Sequence, residues 1–165
     1  MVEGTHSEMT RPMGTYPNGV LYYDGATYWL SLSGASGRNP LTDEIASDLG
    51  SQVTQTLNNL EAVLNEVGMN PGDILSLNVY LKAGLDPGGA LEDYATLNEV
   101  YGTWFERKGV VQLPARTVLW ALRFPPTDAN VEISGVAVLS SYGERKIAEK
   151  YQTIKWGEHL SIVRS

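Results

Sequence analysis

Two charged side chains stand where strands should be apolar. Arg116 follows Leu113-Pro114-Ala115 and opens Thr117-Val118-Leu119-Trp120, and Glu132 interrupts Val131-Glu132-Ile133. A guanidinium or carboxylate entering the low dielectric of a sheet needs a compensating partner. One reading pairs the two with each other or points them to solvent from a sheet edge. The other makes Arg116 a fork for a planar substrate carboxylate and Glu132 a water-activating carboxylate, ionised at neutral pH unless burial prevails. Other chemistries lose their ingredients. The chain has no cysteine and two histidines, His6 and His159, near opposite ends. Thiolate nucleophiles and Cys-ligated metals are therefore excluded, and a zinc site or a Ser-His-Asp triad is poorly supplied. There is no GxGxxG, Walker, HExxH or EF-hand pattern. The expectation is chemistry without a metal.

Those two residues need strands to hold them, and the periodicities supply strands and helices in a definite order. Runs on either side of Asp24-Gly25 predict a hairpin over Val20 to Ser33, with a type I′ turn. Leu49, Val53, Leu57, Leu60, Leu64 and Val67 recur every three or four positions before Gly68, which predicts a helix over 47–67. Alternation in Leu75, Leu77, Val79 and Leu81 predicts a strand. Helical spacing returns with Tyr94, Leu97, Tyr101, Trp104 and Phe105, after the breaker Pro87-Gly88-Gly89 in a surface loop over 84–90. Thr117 to Phe124 and Val131 to Leu139 read as a closing hairpin across Pro125-Pro126. The order ββαβαββ predicts an α+β fold, a mostly antiparallel sheet with two helices on one face. Its strands are apolar on both faces, so a partner subunit is expected to cover the other side.

The 165 residues suit a single domain. Residues 141–165 carry five basic and three acidic side chains, against seven and sixteen before them. That contrast, where the last alternating run stops, divides the chain into a core over 1–140 and a C-terminal extension over 141–165. The extension combines a helix-like segment, Glu144 to Tyr151, with an apolar run, Ile154 to Val163. It is expected to dock on the core or on a neighbouring subunit. A net charge of -7 repels phosphate backbones, so no nucleic-acid partner is expected. No apolar run reaches 18 residues and the N-terminus lacks the apolar centre of a signal peptide, so no membrane partner and a cytoplasmic location are expected.

Several stretches, in order and with matching spacing from about Gly14 to Val138, resemble the Rid family, the YjgF-like reactive intermediate deaminases. They are GTYPNGV, SLSG, SQVTQTLNNLEAVLNEVGMNPGDILSLNVYL, DYATLNEVYGTWF, LPAR and VEISGVAV. The resemblance implies a chorismate-mutase-like fold, a homotrimer whose sheets form a barrel, and sites in clefts between subunits. It implies hydrolysis of a carboxylate-bearing enamine or imine to a carbonyl compound and ammonia, with no cofactor. By the same resemblance Arg116 binds the substrate carboxylate and Glu132 orients the hydrolytic water, while Tyr16, Ser33, Gly34 and Asn98 line the cleft. Val118 stands where the family often has cysteine, leaving its backbone N–H to serve an anion. Thr15 replaces a proline, the 84–90 loop is long and the basic extension is additional, so the substrate's identity stays open. The alternative is a non-catalytic ligand- or partner-binding trimer of the same fold.

Overall fold

Asp48 starts the first helix by accepting a hydrogen bond from the Ser51 N–H at 2.8 Å, and Gly68 ends it at a φ of 82°. Between them α1 (Leu49–Val67) buries Val53, Leu57, Leu60, Leu64 and Val67 along one stripe. A second helix, α2 (Pro87–Arg107), packs beside it. The Pro-Gly-Gly stretch opens this helix instead of preceding it, because the first turn has no intrahelical acceptor and a proline loses nothing there. The computed structural model describes residues 16–84, 87–125, 128–155 and 157–162. His6, Thr15, Trp156 and Val163 lie outside the described residues.

The strands are β1 (Gly19–Tyr23), β2 (Thr27–Ser36), β3 (Ile74–Lys82), β4 (Ala115–Ala121), β5 (Val131–Ser140) and β6 (His159–Ile162). They form one sheet in the order β4-β3-β5-β2-β1-β6. Every described pairing is antiparallel except β3 with β4. Both helices pack on this mixed sheet, so the architecture is α+β.

Two local expectations need correcting. β4 and β5 do not form a hairpin: β4 runs parallel to β3, and β5 inserts between β3 and β2. The segment β3-α2-β4 is a βαβ unit, whose helical crossover is what lets two strands run parallel. The β1–β2 connection is not a type I′ turn either, since only Gly25 has positive φ there. Instead the Asp24 carboxylate accepts from the Ala26 and Thr27 N–H groups at 2.9 and 2.7 Å and from the Trp29 ring N–H at 2.7 Å.

The tail holds a single 3-10 turn at Glu149–Tyr151 where a longer helix was expected, followed by β6 beside β1. Ile147, Ile154 and Ile162 are buried in the core, and Arg145 forks onto the buried Asp73 carboxylate. Away from the helices the sheet is not covered. Trp29, Leu75 and Leu119 are each 38% to 52% exposed. Among the described residues no helix is long and apolar enough to cross a membrane.

Candidate active site

Along β5, Val131 and Ile133 are fully buried, so the intervening Glu132 points to the opposite side of the strand. There it lines a cavity of about 390 Å³ together with Tyr16, Ser33, Gly34, Arg38 and Asp43. A bulge makes the room. Between Leu32 and Ala35 the register of β2 against β5 slips, so Ser33 and Gly34 together oppose one residue. The Ser33 hydroxyl donates to the Pro17 carbonyl at 2.7 Å and its N–H to the Asn18 carbonyl at 3.0 Å, which holds the segment carrying Tyr16 over the cavity. A β-carbon on Gly34 would sit 2.5 Å from Glu132 Oε1. Gly34 is therefore the vacancy into which the carboxylate fits. Burial pushes the Glu132 carboxyl above the ordinary glutamate value.

Arg116 lies elsewhere. From β4 it reaches the helix side of the sheet, with its guanidinium 4.6 Å from the Tyr101 ring and 5.9 Å from the Tyr94 ring. Its Nη2 donates to Asn98 Oδ1 at 2.5 Å, so both ring contacts and the hydrogen bond come from α2. Stacking and one acceptor fix the plane of the fork without neutralising it. Burial pushes the Tyr101 phenol up to about 12, with the Arg116 charge opposing that rise. Val118 packs against the core on the same side.

The sequence-level candidates thus fall into two groups: Tyr16, Ser33, Gly34 and Glu132 at the cavity, and Arg116, Asn98 and Val118 at the β4 edge. Arg116 and Glu132 do not pair. They align with Leu77 and Tyr80 of the intervening β3, and they face opposite sides of the sheet. Within one chain the sheet lies between them.

Sequence reasoning missed three polar residues that build the cavity. Gln52, wholly buried on α1, donates to the Ala46 carbonyl and accepts from the Asn130 N–H, both at 2.7 Å, tying together the segments that lead into α1 and β5. Asn59 donates to the Ser36 and Arg38 carbonyls at 2.9 Å each. The signal was available: both are amides at core-facing positions of an amphipathic helix, which require buried partners. Arg38, the third, had no pattern to mark it. Among the described residues no group of three or more His, Cys, Asp or Glu could hold a metal ion.

A family model described as Endoribonuclease L-PSP matches residues 8–139. The 2-iminobutanoate/2-iminopropanoate deaminase of Escherichia coli K12 is 33% identical over 106 residues, 64% of this chain and 76% of that protein. A RutC family protein of Haemophilus influenzae is 31% identical over 106 residues, covering 64% and 75%. Among solved structures, E. coli TdcF with bound serine superposes with a TM-score of 0.68 at 29% identity, over 82% of this chain and 97% of that one. The E. coli YjgF gene product gives 0.66 at 29%, over 83% and 98%.

Proposed function

The chain belongs to the Rid family, the YjgF-like or endoribonuclease L-PSP proteins, and from that premise we propose that it hydrolyses a carboxylate-bearing imine or enamine to a carbonyl compound and ammonia. Relatives named imine deaminases support the reaction class. The observation that carries the reading is the desolvated Glu132 carboxylate seated beside Gly34 in an otherwise mostly uncharged cavity.

In the proposed reaction Arg116 grips the substrate carboxylate through the guanidinium edges that Asn98 leaves free. Glu132 takes a proton from water as the water oxygen bonds to the imine carbon. The proton then passes to nitrogen to give a carbinolamine; Glu132 next takes the hydroxyl proton and delivers it to the same nitrogen as the C–N bond breaks, so the carbonyl forms, ammonia leaves and Glu132 is again a carboxylate. An enamine first takes a proton on carbon to become the imine. Imines hydrolyse unaided in water, so positioning and proton transfer suffice, each worth roughly 10²-fold or more. Because the two residues face opposite sides of one sheet, the site takes Glu132 from one copy and Arg116 from another. The homotrimer that the resemblance implies would supply that arrangement, and it would cover the exposed apolar sheet face.

The test is release of ammonia and keto acid from the imine that an amino acid oxidase generates from alanine. The parent protein should outpace the buffer rate. Arg116→Ala should raise KM as well as lower kcat, and Glu132→Gln should lower mainly kcat, each by about 10²-fold. Variants that match an active parent would remove the assignment. A parent no faster than buffer that still binds carboxylates between subunits would favour the non-catalytic trimer.

A further inference from the structure

The Arg116 side of the sheet carries more aromatic surface than a carboxylate clamp needs. On β4 Arg116, Val118 and Trp120 alternate with Thr117 and Leu119, and contacts with α2 show which way the three point. On α2 Tyr94, Asn98 and Tyr101 lie four and three positions apart, so they form one stripe facing β4. Packing or hydrogen bonding accounts for most of this set. Tyr101 is buried against the guanidinium, Asn98 accepts from Nη2 and Val118 packs on the core. Trp120 does none of these things. It is 46% exposed and stands outside the hydrophobic core, and its ring meets that of Tyr94 with centroids 6.3 Å apart and planes 40° from parallel. Tyr94, itself 37% exposed, in turn lies against the guanidinium. The two rings therefore form an open apolar wall that begins at the charge and continues past it along β4.

Large aromatic side chains left open to water on one patch mark a place where something apolar binds. The charge at the end of the patch says what. A carboxylate held on the free edges of Arg116 brings the rest of its molecule against this wall. Two tilted ring faces are matched best by a third ring, which gains offset or edge-to-face contacts beyond the area it buries. An acidic side chain would find only the cation that the carboxylate already holds, and a basic one would be repelled by it. We infer that Tyr94 and Trp120 receive the side chain of the substrate, so that this protein acts on imines of aromatic amino acids. The inference rests on the imine hydrolysis proposed above: the carboxylate goes to Arg116, the ring to the wall of Tyr94 and Trp120, and the imine carbon between them is left to Glu132 of the neighbouring copy.

Two measurements test this. The first is the ratio of kcat/KM for the imine generated from phenylalanine to that from leucine, in the parent, Trp120→Leu and Trp120→Phe. The second is calorimetric binding of phenylpropionate against cyclohexylpropionate to the same proteins, which compares an aromatic with a saturated ring of similar bulk and needs no turnover. The parent should favour the aromatic compound about fivefold or more in each. Trp120→Leu should bring each preference to about twofold or less, whereas Trp120→Phe, which restores a ring, should keep most of it. Thermal melting and light scattering check folding and assembly, and Tyr94→Leu carries the same test if Trp120→Leu does not fold. A parent that treats the aromatic and saturated compounds alike overturns the inference, whether or not the variants fold, as does a preference that survives Trp120→Leu. Loss of assembly in Trp120→Leu, with no aromatic preference in the parent, would give the rings to contact between copies instead. The underlying reaction fails separately. A parent that hydrolyses neither imine yet prefers phenylpropionate through Trp120 keeps the aromatic site and loses the reaction. Hydrolysis of both imines without a Trp120-dependent preference keeps the reaction and loses the site.

Discussion

At the scale of single residues, the site depends on one absent side chain. Gly34→Ala places a methyl group 2.5 Å from the Glu132 carboxylate, a separation that a β-carbon does not tolerate. The carboxylate is the free end of a flexible chain, so it will move and the fold will hold. The expected result is a melting temperature within a few degrees of the parent's and a loss of turnover of roughly 10²-fold, the penalty for a misplacement on the order of 1 Å. Glu132 itself sets a pH dependence. Burial raises its pKa in the folded chain, so the base is lost as pH falls through a value above that of an ordinary glutamate. The acid limb of kcat/KM should lie correspondingly high. The sign for stability is opposite to that of a salt-bridged carboxylate. Above the unfolded-state value the ionised, desolvated group opposes folding, so Glu132→Gln should melt no lower than the parent at pH 7 and should flatten the pH dependence of melting just above that value.

At the scale of elements, the tail behaves as part of the sheet. Removing everything after Ser140 deletes the β6 pairing with β1, withdraws Ile147, Ile154 and Ile162 from the core, and leaves Asp73 buried without Arg145. Three buried isoleucines at about 1.5 to 3 kcal/mol each predict a fall in melting temperature of roughly 10 °C or more, read by calorimetry. An unchanged transition would show that β6 contributes nothing. Local periodicity was enough to find α1, β1, β2, β3 and β5, because each buries one face and writes it into the spacing. It could not show which strand pairs with which. That is why β4 reads as the partner of β5 when the α2 crossover makes it the partner of β3. Arg116 and Glu132 stood out as charges in apolar runs, yet the faces they occupy depend on that pairing. Arg38 lies outside the strands and helices, where no period marks it, and its place in the cavity wall depends on how Asn59, Asp43 and Gly37 meet in space.

At the scale of the whole molecule, the proposed site draws Arg116 and Glu132 from opposite faces of a sheet, and so it calls for more than one copy of the chain. The partly exposed Trp29, Leu75 and Leu119 point the same way, since a monomer would present them to water. Light scattering at micromolar concentration should return the mass of three chains. A stable monomer would remove the shared site.

The most direct test of the central claim is complementation between two inactive proteins. Arg116→Ala and Glu132→Gln, co-expressed with different tags and isolated as mixed assemblies, are each expected to be defective alone. If Glu132 comes from one copy and Arg116 from its neighbour, each mixed trimer, of either composition, keeps about one site in three with both residues intact. Imine hydrolysis should then return to on the order of a third of the parental rate. Mixed assemblies no more active than either variant alone would contradict a site shared between subunits.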